Sequence, residues 1–259
     1  MGERTKLTLT RAANWAAYVF MITINVLAVV LPLGGLTTQQ VSELYPNLFT
    51  PAPFVFSIWG IIYAGQLLFL LYQSGLLGYR RGMDDGLVLR LGLLPCLLSL
   101  FNGLWLILWH HRRPLAALAV IAAMLLTLTQ LHLRTAGLAN RPAKWFVRTP
   151  FRLYLGWISV ATIANTSVAL VQADFSGWGL PEDIWAALLV AFAAVLGAAM
   201  LLRHRDYAFA AAMAWALLGI FIRHTLALDG IYSSVVLTSL LGLMAVTGGM
   251  AYVFFQGKR

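Results

Sequence analysis

The chain consists largely of apolar runs about 20 residues long, separated by short polar stretches. A helix needs roughly 20 mainly apolar residues to cross the hydrocarbon core of a bilayer. Hydrophobic residues make up 61% of the 259 residues and charged residues only 10%, whereas soluble domains average about 45–50% apolar and about 25% charged. The sequence therefore predicts an all-α, polytopic integral membrane protein.

Eight apolar runs fit the sequence best as membrane spans. Their predicted bounds are 13–34, 53–74, 87–109, 115–133, 152–172, 184–202, 207–223 and 231–255. The seventh run is short and has basic residues at both ends, so seven spans are the alternative count. The first run is too long for a signal-peptide core and lacks a small-residue cleavage site, so we expect it to be retained as a span.

The basic residues lie in short clusters between the apolar runs, and this placement predicts the orientation. If the eight spans alternate, fifteen of the eighteen Lys and Arg residues fall on the side that holds the N-terminus. Loops rich in Lys and Arg stay in the cytoplasm. We therefore expect a multi-pass inner (plasma) membrane protein with both termini cytoplasmic. The net charge of +9 is then explained by contact with membrane lipid, and we expect no nucleic-acid partner.

The ionisable residues point away from ion coupling, metal binding and catalysis. All nine Asp and Glu residues fall in loops or at span ends, whereas proton-coupled carriers usually need ionisable groups within the membrane. A facilitative carrier remains open. The single cysteine, Cys96, allows neither a disulfide framework nor a cysteine metal site. The histidines are expected at the membrane interface, and no catalytic set of residues is recognisable, so we favour a protein that is not an enzyme.

One stretch, Tyr45–Tyr63 (YPNLFTPAPFVFSIWGIIY), combines a proline-rich entry with an aromatic stripe. Prolines are tolerated in the first turn of a helix but not in its interior. The helix that follows carries Phe56, Trp59, Tyr63 and Gln66 at i, i+3, i+7 and i+10, which places them on one face. Such a stretch is suited either to the lid and wall of a pocket or to an aromatic belt at the membrane interface.

Three further runs carry stripes of aromatic and polar residues. Tyr18 and Asn25 share one side of the first run, Asn102 and Trp105 recur at i and i+3 on the third, and Tyr154, Trp157 and Asn165 lie on one side of the fifth. An Asn at hydrocarbon depth must hydrogen-bond inward, so we expect Asn25, Asn102 and Asn165 to face the bundle. The stripes can serve helix–helix packing, with Asn joining the helices, or they can line a pocket.

Three sequence blocks resemble the signatures of a known family. They are YPNL with PAPF and VFSIWGIIY, then LFNGLWLILW at 100–109, then PFRLYLGWISVATIAN at 150–165. In this order they are similar to the TspO/MBR family, the tryptophan-rich sensory proteins and peripheral benzodiazepine receptors. The resemblance covers about residues 10–175. The chain departs from the family at Phe49 and Phe54, where tryptophans are typical, and at Phe151, where a tyrosine usually follows the proline.

The resemblance implies a domain organisation and a ligand class. Residues 1–175 would form the family's five-helix bundle and 176–259 would add about three transmembrane helices. Family members bind porphyrins and other tetrapyrroles, sterols and synthetic isoquinolines or benzodiazepines in a pocket beneath the first loop. No cofactor is required, and a porphyrin or haem-type tetrapyrrole is the implied ligand. Carried over to this chain, the lid and wall would be Pro51, Pro53, Phe54, Phe56, Trp59 and Tyr63, and the bundle lining would be Asn102, Trp105, Trp157 and Asn165.

We therefore expect a membrane sensor or regulator that binds a flat hydrophobic molecule. The alternatives are a facilitative transporter of hydrophobic molecules, an enzyme that modifies porphyrin, and a structural module whose stripes serve only packing. In the eighth run, Gly242, Gly248 and Gly249 are suited to close helix packing, either within the chain or in a homodimer.

Overall fold

The computed structural model describes residues 2–31, 33–77 and 84–256, and helices connected by short turns and loops account for these ranges. The helices are α1 (Glu3–Val30), α2 (Thr38–Glu43), α3 (Ile58–Gln73), α4 (Asp85–Leu91), α5 (Leu94–His110), α6 (Pro114–Thr135), α7 (Arg141–Ala143), α8 (Thr149–Gln172), α9 (Glu182–His204), α10 (Tyr207–Ile222) and α11 (Ser233–Gln256). A 3-10 turn at Pro53–Ser57 leads into α3, and π-helical turns occur at Lys144–Arg148 and Arg223–Ala227.

The helical segments confirm a polytopic helical membrane protein. Seven of them in the described ranges are long and apolar enough to cross a membrane, and the pair α4 and α5, bent by 44°, raises the number to eight if it is one span. All eight predicted runs coincide with these segments, including the short seventh run, which is α10 with its π-helical turn. Four residues of the charge count, Arg80, Arg81, Lys258 and Arg259, lie outside the described residues. The membrane and the orientation stay predictions.

Local sequence explains where several helices begin and where one span bends. Prolines occupy the first turns of the Pro53–Ser57 segment, α5 and α6, where the missing N–H has no helical partner to lose. The Asp206 side chain caps α10 by accepting a hydrogen bond from the Phe209 amide, 3.2 Å away. Between α4 and α5, Gly92 has a φ of +58°, which a residue with a Cβ rarely adopts, and the span bends there.

The chain forms two compact units, of which the first contains Met1–Thr38 and Trp59–Leu155. In this unit α5 packs against α1 and α6, and α4 also contacts both of these helices. The side chains of Met21, Leu98 and Met124 are completely buried in its core. Near the start of α8, the rings of Phe69 and Phe151 pack edge to face with centroids 5.0 Å apart.

The second unit contains Gln39–Ile58 and Gly156–Arg259. Helices α9, α10 and α11 pack pairwise against one another, and the Pro53–Ser57 turn contacts α10. A Cβ on Gly242 of α11 would lie 2.8 Å from the Cβ of Ala194 in α9, so this glycine serves close packing within the chain. No described atom lies within 4 Å of the corresponding position on Gly248. A homodimer stays a prediction.

The domain division at residue 175 follows the extent of the family resemblance and not the compact units of the structure. It stays a prediction. Its second part, 176–259, contains the three long helices α9, α10 and α11. The second compact unit also includes the proline-rich stretch before α3.

Candidate functional site

In the first unit, amide and hydroxyl side chains from α1, α3, α5 and α8 form a chain of hydrogen bonds. Tyr63 donates its hydroxyl to Oδ1 of Asn25 at 2.7 Å, and Asn25 donates from Nδ2 to Oδ1 of Asn102 at 2.9 Å. Asn102 in turn donates from Nδ2 to the Tyr154 hydroxyl at 2.8 Å. Asn102 and Tyr154 are completely buried. Buried polar groups need such partners, and here the partners join different helices.

Aromatic rings surround this chain of hydrogen bonds. Trp59 stacks on Tyr63 with centroids 5.5 Å apart, lies 5.8 Å from Trp105 at a tilt of 31°, and meets Tyr154 edge to face at 5.8 Å. Offset and edge-to-face arrangements at these distances are the favourable ones for aromatic pairs. We call Asn25, Trp59, Tyr63, Asn102, Trp105 and Tyr154 the aromatic–amide cluster. It brings together four of the ten predicted site residues.

In the second unit, residues 45–57 form the proline loop, and Asn47 fixes its first turn. Oδ1 of Asn47 accepts hydrogen bonds from the Phe49 and Thr50 amides, both at 3.1 Å, while its Nδ2 donates to the Tyr45 carbonyl at 2.9 Å. An Asn that bonds to the backbone two or three residues away stabilises a turn. The prolines of the loop therefore follow a fixed turn.

Two basic side chains at the end of α10 bind carbonyl groups of the proline loop. Arg223 donates from Nη1 to the Thr50 carbonyl at 3.0 Å, and Nε2 of His224 lies 2.8 Å from the Leu48 carbonyl. Because a carbonyl oxygen only accepts, Nε2 of His224 carries the proton of this bond. His224 is completely buried. These bonds satisfy loop carbonyls that would otherwise lie unpaired in an apolar setting.

The body of α10 adds further contacts to the same loop. Trp215 donates from Nε1 to the Val55 carbonyl at 3.0 Å, and its ring meets Phe54 edge to face at 5.2 Å. The Ala52 amide donates to the Gly219 carbonyl at 3.0 Å. Contacts with α10 and its π-helical turn therefore hold the loop at several points along its length.

This close approach of α10 and the loop depends on Gly219. A Cβ at Gly219 would overlap with Cγ2 of Val55 and would lie 3.2 Å from Cβ of Pro51. Any larger residue requires the loop to move away from the helix. The observed contact between α10 and the loop therefore requires glycine at this position.

A cavity of about 390 Å³ lies beside the proline loop within the second unit. We call it the loop cavity. Three predicted site residues, Pro51, Pro53 and Phe56, line it, together with Arg223 and Glu43. The wall therefore combines apolar rings with one positive and one negative side chain.

The remaining predicted residues of this unit lie near the loop or in α8. The Phe56 ring meets Trp157 edge to face at 6.3 Å, and Trp157 is buried. Phe54 packs on Trp215 and keeps 40% of its surface exposed. Asn165 is buried, as expected from the sequence, and donates from Nδ2 to the Ala161 carbonyl of its own helix at 2.8 Å.

Two of the histidines expected at the membrane interface, His110 and His224, are buried within the protein, and their depth in a membrane stays a prediction. His224 is held against the loop, and His110 in the first unit is only 2% exposed. Nδ1 of His110 lies 2.7 Å from the Leu33 carbonyl and Nε2 lies 3.0 Å from Oγ1 of Thr38. Both histidines sit at helix ends beside backbone that needs partners. Sequence reasoning also missed Trp215 and Gly219, because nothing near them in the chain points to a loop about 160 residues away.

The family model described as TSPO-like protein matches residues 11–252. Neither the curated proteins nor the solved structures contain a significant match to the chain. The matched region extends through α9, α10 and α11, which the three sequence blocks did not reach. With its helical fold and its proline-rich and tryptophan-bearing blocks, the chain belongs to the TSPO-like protein family.

Proposed function

We propose that this membrane protein binds a flat hydrophobic small molecule of the tetrapyrrole class and acts as its sensor or regulator. The observation that carries the proposal is the loop cavity, which Pro51, Pro53 and Phe56 line. Its volume of about 390 Å³ falls in the range of about 300–1,000 Å³ that is typical of small-molecule pockets. Membership of the TSPO-like family supports the same ligand class.

The chemistry of the cavity wall suits a ligand with a planar apolar body and an acidic edge. Proline rings and the Phe56 ring offer flat surfaces on which an aromatic system can lie. Arg223 is half-buried, uses Nη1 for the Thr50 carbonyl and interacts electrostatically with Glu43. Its other N–H donors would bind a ligand carboxylate in competition with Glu43. A porphyrin with acid side chains combines these two features. Glu43 lies at the same cavity and would disfavour ligands that carry more negative charge than the acid side chains of such a porphyrin.

Intrinsic tryptophan fluorescence tests the proposal. Titration of the purified protein with protoporphyrin is expected to give saturable quenching, because a bound porphyrin accepts excitation from nearby tryptophans. Trp59→Leu and Trp157→Leu alter two residues that the sequence predicts at the site. Neither lines the loop cavity, but Trp157 packs on Phe56, which does. Each variant should reduce the quenching amplitude or weaken the affinity.

The matched control is Trp145→Leu, which changes a tryptophan that is 61% exposed and lines none of the described cavities. It should leave the quenching curve of the remaining tryptophans unchanged. If protoporphyrin causes no quenching, or if all three variants behave as the parent protein does, the proposed ligand site is wrong.

The aromatic–amide cluster supports a second role, in helix–helix packing. Its Asn25, Asn102 and Tyr154 side chains bind one another in the first unit, as interhelical glue is expected to do. On this account the cluster stabilises the bundle and contributes to ligand affinity only by keeping the helices in place.

A further inference from the structure

A second cavity, of about 420 Å³, lies in the second unit where α8 ends and α9 begins. We call it the α8–α9 cavity. Apolar side chains such as Leu170 and Leu189 form much of its wall, and Asp174 and Glu182 also line it. Its volume is again in the range of about 300–1,000 Å³ for small-molecule sites. The residues that line it do not include those that line the loop cavity.

The charge at this cavity is negative and uncompensated. No Lys, Arg or His is among the lining residues. Among the described residues, the ion pair that is found joins Arg11 and Asp85, so it leaves Asp174 and Glu182 unpaired. The carboxylates of Asp174 and Glu182 also have no hydrogen-bond partner among the described residues. Two free carboxylates beside an apolar wall attract a ligand that is cationic and partly apolar.

Aromatic rings complete the site. Phe175 and Trp185 line the cavity with their centroids 5.7 Å apart. Trp178 packs edge to face on both, at 5.3 Å from Phe175 and 5.6 Å from Trp185. Faces of Trp and Phe attract ammonium-type cations through the ring quadrupole, and this attraction is strongest for Trp.

We propose that the α8–α9 cavity is a binding site for an organic cation with an apolar body, of the quaternary ammonium or phosphonium type. The carboxylates of Asp174 and Glu182 supply the charge, and the rings of Phe175 and Trp185 receive the cation's alkyl or aryl groups. A belt of interfacial aromatics explains an exposed Trp178, and the first turn of α9 favours an acid at Glu182, but neither explains a second carboxylate, Asp174, at the same cavity. The proposal does not rest on tetrapyrrole binding, although residues 46–49 of the proline loop also line this cavity.

Isothermal titration of the full-length protein in a nonionic detergent with tetraphenylphosphonium tests the proposal. Saturable binding is expected, and it should weaken as salt is added because salt screens exposed carboxylates. Tetraphenylborate has the same shape and the opposite charge, so it should not bind when it is titrated on its own. The Asp174→Asn/Glu182→Gln double variant should bind about tenfold more weakly, since each exposed ion pair contributes modestly. Trp185→Leu should also weaken binding, by about threefold or more.

Asp229→Asn is the matched control for charge. Asp174 and Asp229 both have a positive φ, of 49° and 47°, which Asn tolerates well, and Asp229 does not line the cavity. This variant should bind tetraphenylphosphonium as the parent protein does. Absence of binding, equal binding of the borate, or an unchanged affinity in the double variant would overturn the proposal.

The same chemistry occurs in free cations and in choline headgroups, and competition separates the two sources. Short-chain phosphatidylcholine that displaces tetraphenylphosphonium, where short-chain phosphatidylglycerol does not, supports a lipid headgroup as the occupant. If neither lipid competes while the charge variants still weaken binding, a free organic cation is supported.

Discussion

At Asn102, one amide side chain connects two other helices of the first unit. It accepts a hydrogen bond from Asn25 in α1 and donates one to Tyr154 in α8, and it has no exposed surface. The sequence predicted an inward-facing Asn at this position, because an amide at hydrocarbon depth must find a partner. It could not predict which partners, since Asn25 and Tyr154 are 77 and 52 residues away.

Replacing Asn102 tests this role. Asn102→Leu keeps a similar volume and removes both bonds, leaving the Tyr154 hydroxyl with one partner fewer. We expect a loss of about 1–2 kcal/mol in the free energy of unfolding, given the modest strength of interhelical hydrogen bonds in membranes. Denaturation with sodium dodecyl sulfate measures it.

Asn140→Leu serves as the control, because Asn140 is exposed and its side chain does not cap α7. It should leave the stability nearly unchanged. An Asn102→Leu protein as stable as this control would show that the hydrogen bonds of the aromatic–amide cluster do not stabilise the bundle.

Among the structural elements, α10 and the π-helical turn that follows it hold the proline loop in place. Trp215, Gly219, Arg223 and His224 all contact the loop, either through its carbonyls or through an amide. The membrane-spanning helices were predictable, because each is an apolar run of spanning length. The contacts between α10 and the loop were not predictable from the sequence. They involve backbone groups, which every sequence possesses, and they join residues that are 160 to 176 positions apart in the chain.

Gly219→Ala tests the contact between α10 and the loop. The added methyl group overlaps with Val55 and crowds Pro51, so the loop must shift and its bond from the Ala52 amide to the Gly219 carbonyl must lengthen. We expect a loss of about 1–3 kcal/mol in the free energy of unfolding, as for other overpacked sites, and faster proteolysis within residues 45–57.

Gly248→Ala is the matched control in α11, because no described atom lies within 4 Å of its added methyl group. Alanine favours helix over glycine by about 1 kcal/mol, so this variant should be as stable as the parent protein or more so. If Gly219→Ala behaves in the same way, the loop does not depend on close contact with α10.

At the scale of the whole molecule, the C-terminal helices belong with the proline loop. The family match continues to residue 252, and the second unit contains both the loop and α9, α10 and α11. The sequence blocks ended near residue 165 and gave these helices no role. In the structure α10 supports the loop, and its π-helical turn contributes Arg223 to the loop cavity.

Hydrogen exchange of the proline loop, with and without protoporphyrin, tests whether the ligand binds in the loop cavity. If the ligand binds in the loop cavity, amides within residues 50–56, which contribute to its wall, should exchange more slowly in its presence. Those of 46–49 and 174–180, at the α8–α9 cavity, should not change. The absorbance of bound protoporphyrin reports occupancy in the same sample. Protoporphyrin that is bound without slowing exchange in residues 50–56 would contradict binding in the loop cavity.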